Sequence, residues 1–231
     1  MEKILFEFLL DKIVSGSYPP GERMPSENVL AEEFQVSRIT VRNAFTMLES
    51  MGYIYSVQGK GRFLKDRHKT LVLNLSGAES FSDKMKQSGV ELKTLVTHYA
   101  PVEYNSKVFG ALTAAADEIV IRIDRLRLIN NLPVALHISW LKESRFPDIL
   151  EKASAVASLF SYFRSKGLSG FTSSRSLMSL TFPSSEESEL LGCPSLVPLL
   201  LLESDTRLES TGEVLQFTKI LYRGDVFNYV I

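Results

Sequence analysis

Two pairs of arginines carry the most suggestive chemistry in this chain. Arg38 and Arg42 stand one helical turn apart, beside the hydroxyls of Ser37 and Thr40. A guanidinium can grip two acceptors at once, which suits a guanine edge or a phosphate. Arg125 and Arg127 stand two apart inside Glu118 to Ile129, a run that mixes β-branched residues with charges. Side chains two apart on a strand share a face, so these guanidiniums lie side by side, flanked by Ile123 and Ile129, while Asp124, Leu126 and Leu128 take the other face. Two such cations repel unless an anion or acids lie between them, and a carboxylate or phosphate is the natural occupant. The alternative is a solvated sheet face or pairing with internal acids.

Other chemistries find little to work with. Cys193 is the only cysteine, lies between Gly192 and Pro194 with no basic neighbour, and reads as structural. His68, His98 and His137 are not spaced with one another or with acids as a metal site requires, so no metal and no cofactor is expected. There is no paired nucleophile and base and no phosphate-cradling glycine loop, which argues against an enzyme. The N-terminus mixes apolar residues with Glu2, Lys3, Glu7, Asp11 and Lys12, unlike a signal peptide, and no apolar run is long enough to span a membrane. A cytoplasmic protein is the default. The formal net charge of −1 gives no basic footprint for the whole molecule. From Ser37 to Lys69, however, seven basic residues stand against two acids, the local excess that nucleic-acid binding needs.

The elements that must position Arg38 and Arg42 are legible. Ile4, Leu5, Phe8, Leu9, Ile13 and Val14 keep a helical period over residues 2–15, ended by the turn run 15–21. Pro25-Ser26 is a start signal, and Val29, Leu30 and Phe34 give a second helix its buried stripe. Gln35-Val36 breaks the run and Ser37 caps again. Ile39, Val41, Ala44, Phe45 and Leu48 form the apolar side of a third helix, which gathers Arg38, Thr40 and Arg42 in its first turn. A helix-turn-helix presents such residues to the major groove. Residues 53–57 and 62–64 read as strands around a hairpin tip at Gln58-Gly59-Lys60-Gly61. Three helices and a hairpin make a winged helix-turn-helix.

The run from Gly16 to Phe45, GSYPPGERMPSENVLAEEFQVSRITVRNAF, and the later GYIYSVQGKGRFL resemble the DNA-binding domain of the GntR family of bacterial transcription regulators, over residues 4–65. The resemblance implies that Arg38 and Arg42 contact DNA and that Gln58 enters the minor groove, with Gly59 and Gly61 around it. A third arginine used by some members falls on Asn28. Ser26, Ser37 and Thr40 complete the expected contact set. Lys60 and Arg62 are expected to hold phosphates, which adds salt dependence and not sequence choice.

The charged stretch 65–70 marks a boundary, giving a DNA-binding domain at 1–66, a linker and first strand at 67–74, and a second domain at 75–231. In the second part residues 81–89, 105–115, 153–165 and 184–191 read as helices. Residues 71–75, 92–99, 118–129, 133–140, 175–182, 198–209 and 213–222 read as strands, with hairpin turns at Asn130-Asn131 and Ser210-Thr211-Gly212. The fold class is α+β, a mainly antiparallel sheet behind an N-terminal winged helix-turn-helix.

This second part is similar to the UTRA effector-binding domain of the HutC-like branch of that family, of chorismate-lyase-like fold. The landmarks are RLR at Arg125 to Arg127, NLPVALHISWL, FPDIL, SLFSYF and YRGD. The likeness implies a small-molecule pocket in each protomer of a homodimer. Carried over position by position, the anion-holding arginines fall on Arg125 and Arg127, a helix-start contact on Ser82, a Ser and a Tyr of the later helix on Ser158 and Phe160, and a late tyrosine on Tyr222. Two acidic positions fall on His137 and Gln216, which makes a ligand amine less suited to the pocket and leaves its anion-binding half. His137 reads first as a satisfied interior histidine, with a ligand contact or a pH-sensitive group as the alternatives. The expectation is a repressor of a palindromic double-stranded operator, controlled by a small anionic effector such as a sugar phosphate or organic acid. The competing expectation is a DNA-binding protein whose second domain only dimerises.

Overall fold

The computed structural model describes residues 2–66, 71–74 and 79–230. Contacts divide the chain into two compact units. One comprises Met1–Leu71 with Phe182–Pro198 and Gly224–Val226; the other comprises Val72–Thr181, Leu199–Arg223 and Phe227–Ile231. Residues 67–70 of the anticipated linker, including Arg67 and Lys69 of the basic stretch, and Leu75 of the anticipated first strand lie outside the described residues.

In the first unit α1 (Glu2–Val14), α2 (Glu27–Glu33) and α3 (Arg38–Ser50) precede the hairpin β1 (Ile54–Val57) and β2 (Gly61–Leu64). Ser26 and Ser37 cap α2 and α3 by accepting from the backbone N–H of Val29 and Thr40. The turn between the helices places Gln35 at φ +51, a left-handed position held without a glycine. The core is Leu5, Leu9, Met24, Leu30, Val41, Ala44, Phe45, Leu48, Ile54 and Leu64. Four residues expected inside are not: Ile4, Val14, Val29 and Ile39 are 54–69% exposed. They sit at the rims of their apolar stripes, and the neighbouring elements cover only the stripe centres. Arg23 pairs with Phe63 as a one-residue third strand on the wing. Gly61, at φ +110, lets Arg23 approach, since a Cβ there meets its Nε at 2.9 Å.

In the same unit α8 (Ser185–Leu191) starts in a capping box of Ser184 and Glu187. Beyond it, Cys193 is buried. Lys65, just past β2, pairs at 3.0 Å with Asp225 in the turn after Arg223.

The second unit is built on a seven-stranded sheet of order β4-β5-β6-β10-β9-β7, with β8 also paired to β9. Its strands are β4 (Leu92–Val102), β5 (Val120–Ile129), β6 (Leu132–Lys142), β7 (Phe171–Thr172), β8 (Ser176–Thr181), β9 (Leu199–Leu208) and β10 (Val214–Arg223). Every pair in it is antiparallel. A short two-stranded sheet joins β3 (Leu71–Asn74) to β11 (Phe227–Val230). The helices are α4 (Phe81–Gln87), α5 (Ser106–Leu112), α6 (Ile149–Lys152) and α7 (Leu159–Ser165). The helix expected over 105–115 stops at Leu112, because Thr113 turns left-handed at φ +53. The helix expected over 153–165 is a 3-10 turn at Ala153–Ala155 and then α7, newly capped by Ser158.

The candidate DNA-reading surface and the sheet cavity

On the first unit, capping fixes the start of α3. The Ser37 hydroxyl accepts from Thr40 N at 3.2 Å and lies 2.9 Å from the Thr40 hydroxyl. Arg38 and Arg42 emerge beside them with side chains 62% and 56% exposed, so they face solvent and not the core. Gln58, Gly59 and Lys60 form the exposed wing tip, with Gly59 at φ +73.

The Glu27 carboxylate, at the first residue of α2, joins these parts. It accepts from Arg42 Nε at 3.2 Å and Nη2 at 3.0 Å, and from Arg62 Nη1 at 3.0 Å, with Arg38 Nη2 at 3.6 Å. The Arg42 bonds lead in holding Glu27 down at about 2, and they raise Arg42 in turn. Arg62, expected on phosphate, pairs with Glu27 in the free protein. It lies between Glu27 and the Phe45 ring, 4.8 Å from the ring centre. Nothing in the sequence reading singled out Glu27, since its partners lie 15 and 35 residues away.

In the second unit the strand register assembles one polar face. Arg125 pairs with His137, His137 with Ile220, and Ile220 with Leu202. Alongside, Ser139 pairs with Thr218 and Thr218 with Ser204. Over this face the start of α4, the start of α7 and the segment 171–173 close a cavity of about 470 Å³, a size that suits a small metabolite. Arg125, Arg127, His137, Ser158, Phe160, Gln216 and Tyr222 all line it.

Ser82 does not. It lies in a separate depression with Lys86 and Thr94, and Ser80, Phe81 and Lys84 take the cavity wall. Phe81 and Met85 are the buried residues of α4, and the helical rotation of 100° per residue turns Ser82 away from their face.

The cavity is electrostatically unfinished. Arg125 donates to the Ser139 hydroxyl at 2.8 Å, and Arg127 donates to the Thr94 hydroxyl and the Ala157 carbonyl at 2.6 and 2.7 Å. Among the described residues no acid bonds to either one. Arg125 Nε, Arg127 Nε, His137 Nε2 and Gln216 Oε1 are buried without a hydrogen-bond partner among the described residues. Burial pushes both guanidiniums down, Arg127 to about 10, and Arg127 adds to the effect on Arg125. Burial, then Arg127 and Arg125, pushes His137 well below its usual value and keeps it neutral. Lys84, also pushed down by burial, is a third cation on the wall.

Asp205 contributes no free carboxylate. It accepts from Ser173, from the N–H and hydroxyl of Ser174 and from Arg207, and these bonds outweigh burial and hold it at about 2. The hydroxyls of Ser173 and Ser176 each lie 2.9 Å from that of Ser204, forming a hydroxyl-lined wall. These serines were not anticipated, because they converge only when β7 and β8 both pair with β9. Among the described residues, no group of three or more His, Cys, Asp or Glu is placed to hold a metal. No described helix is long and apolar enough to cross a membrane.

Residues 3–64 match the bacterial regulatory proteins of the gntR family, and residues 87–228 match the UTRA domain. The HTH-type transcriptional repressor NagR of Bacillus subtilis is 26% identical over 226 residues, spanning 98% of this chain and 91% of NagR. The mannosyl-D-glycerate transport/metabolism system repressor MngR of Escherichia coli is 24% identical over 221 residues, 96% of this chain and 90% of MngR. The crystal structure of PhnF from Mycobacterium smegmatis superposes with a TM-score of 0.65 at 23% identity, covering 97% of each chain, and so shares the fold.

Proposed function

Because the chain belongs to the gntR family of bacterial regulatory proteins and carries a UTRA domain, we propose that it is a cytoplasmic repressor released from its operator by a small anionic metabolite. Residues 1–66 read DNA, with Arg38 and Arg42 on bases and Ser26, Ser37, Thr40, Gln58, Gly59, Lys60 and Gly61 around them. Residues 75–231 bind the effector and form a homodimer, whose two-fold symmetry matches a palindromic operator.

One observation carries the effector reading: two buried arginines share a cavity, and among the described residues no acid bonds to either. Uncompensated buried charge is costly, and an anion between the guanidiniums supplies the missing acceptor. The unpaired Gln216 carbonyl oxygen asks for a ligand donor, and the serine wall suits hydroxyls. Of the two acids on the cavity wall, Asp205 is already occupied and Glu79 accepts from Gln87 and faces the charge of Lys84, so a cationic group on the ligand finds poor support. A phosphorylated or carboxylated polyol fits best, and one relative is named for the metabolism of mannosyl-D-glycerate, itself a sugar-bearing carboxylate.

A thermal-shift screen with phosphorylated sugars, sugar acids and inorganic phosphate tests this. A matching compound at about 100 times its Kd adds about 2.7 kcal/mol of stability. Arg127→Met, which keeps length without charge, is expected to lose that shift while DNA affinity stays at the wild-type value. Intact DNA binding with no stabilisation by any compound favours a second domain that only dimerises.

A further inference from the structure

A guanidinium offers two forked edges, and Arg42 uses only one of them on protein. Its Nε and Nη2 face Glu27 Oε1 and Oε2. The remaining Nη1 and Nη2 hydrogens form the outer edge of a side chain that is more than half exposed at the start of α3. That outer edge has the geometry to fork onto the N7 and O6 of guanine. Glu27 is itself fixed. It opens a helix capped by Ser26, where a carboxylate is favoured by the helix dipole, and its side chain is only 14% exposed. The same carboxylate takes Arg62 from the wing strand at 3.0 Å and Arg38 at 3.6 Å.

Placed only to add affinity for DNA, an acid here is counterproductive, because it brings negative charge toward phosphates. Its service is orientation. A free arginine samples many rotamers, whereas one held along its inner edge presents a single outward fork.

We infer that Glu27 is a positioning residue for base reading: it grips Arg42 by the inner edge so that the outer edge meets guanine, and it stores Arg38 and Arg62 in the same clasp. This rests on the reading of Arg42 as a base contact. It predicts that Glu27 contributes to specificity more than to affinity.

The test uses the full chain, a duplex selected from a random-sequence pool by the wild-type protein, and a shuffled duplex of equal length. Affinities are measured for wild type, Glu27→Gln, Glu27→Asp, Arg42→Ala and the double variant Glu27→Gln/Arg42→Ala across a salt series. Glu27→Gln is expected to lower the selected-to-shuffled ratio about tenfold, within the range of one lost forked contact, with shuffled binding unchanged or tighter. Glu27→Asp keeps the charge and shortens the arm, so the ratio falls while shuffled binding and the salt slope stay as in wild type. In the Arg42→Ala background Glu27→Gln changes the ratio no further. Glu27→Asp decides the matter should the Gln variant fail to fold. A wild-type ratio in Glu27→Asp, or an equal loss from Glu27→Gln with and without Arg42, overturns the inference. A wild-type ratio in Arg42→Ala instead overturns the base contact on which it rests, a separate failure.

Discussion

The His137 imidazole is enclosed by Phe81 and Tyr222, with ring centres 5.2 and 5.8 Å away, and the cations of Arg125 and Arg127 press on it from the same cavity. Burial and both charges disfavour its protonation, so the folded protein keeps this ring neutral well below the usual histidine range. The unfolded chain takes up that proton near pH 6.5. Between that pH and the lower folded value the unfolded state binds more protons, so acid favours unfolding, by up to about 1.4 kcal/mol per pH unit for one group. The depressed carboxylates of Glu27 and Asp205 act elsewhere. Their contributions are present above the unfolded value near 4 and are lost as pH falls toward about 2. Denaturant unfolding between pH 5 and 6.5 therefore isolates His137. His137→Phe, which keeps an aromatic ring against Phe81 and Tyr222, is expected to flatten the pH slope in that window, whatever it does to absolute stability. Equal slopes in the two proteins mean that His137 is protonated in the fold.

The hairpin β5–β6 aims the arginine pair. Its turn, Asn130-Asn131, has φ +50 and +63, the left-handed pair that a tight two-residue turn needs. The turn sets Ile129 opposite Leu132 and Leu128 opposite Pro133, and a one-residue register shift between Leu128 and Arg127 then brings Arg125 opposite His137. A slip of one residue sends both guanidiniums to the opposite face, where Arg122 already pairs with Asp124. Asn131→Gly is expected to leave the melting temperature unchanged or raise it. Asn131→Val, a β-branched residue forced to positive φ, is expected to cost about 1–2 kcal/mol and to weaken the ligand-induced shift together with stability. A Val variant that melts with wild type means that the turn does not set the register.

This hairpin also marks how far sequence alone reaches. Asn-Asn between two β-branched runs, the period-2 spacing of Arg125 and Arg127, and the caps Ser26 and Ser37 are local rules, and each appears in the fold where they place it. The rims of helical stripes are not local. Val29 and Ile39 obey the period yet face solvent, because neighbouring elements decide how wide a stripe is covered. Ser82 and Phe81 differ by one step of helical rotation, too fine for a seven-residue helix without its partners. Glu27, Lys84 and the serines just after β7 and on β8 and β9 acquire their roles through long-range pairing, for which spacing in sequence gives no rule. The two-residue β7 is shorter than any periodicity can register.

At the scale of the whole chain, a net charge of −1 leaves DNA attraction to a local surface and not to the molecule as a field. The arginines proposed to read bases belong to one compact unit and the arginines proposed to hold the effector to the other. An anionic ligand can therefore weaken DNA binding in two distinguishable ways. Direct competition for Arg38 and Arg42 has no ceiling, because apparent DNA affinity keeps falling as ligand is added. Coupling through the cavity saturates once the cavity is full, at a fixed factor set by the ligand's preference for one arrangement of the protein. Linkage requires that saturating DNA weaken the ligand by that same factor. Titrating the selected duplex at rising concentrations of the most stabilising screened compound is expected to give a plateau about 5–150-fold above the ligand-free Kd. Calorimetry on the DNA-bound protein should return the same factor for the ligand. Arg127→Met should move the plateau's onset to higher ligand concentration. A curve that rises without limit, and is unaffected by Arg127→Met, assigns the effect to the DNA-reading arginines and removes the cavity from control.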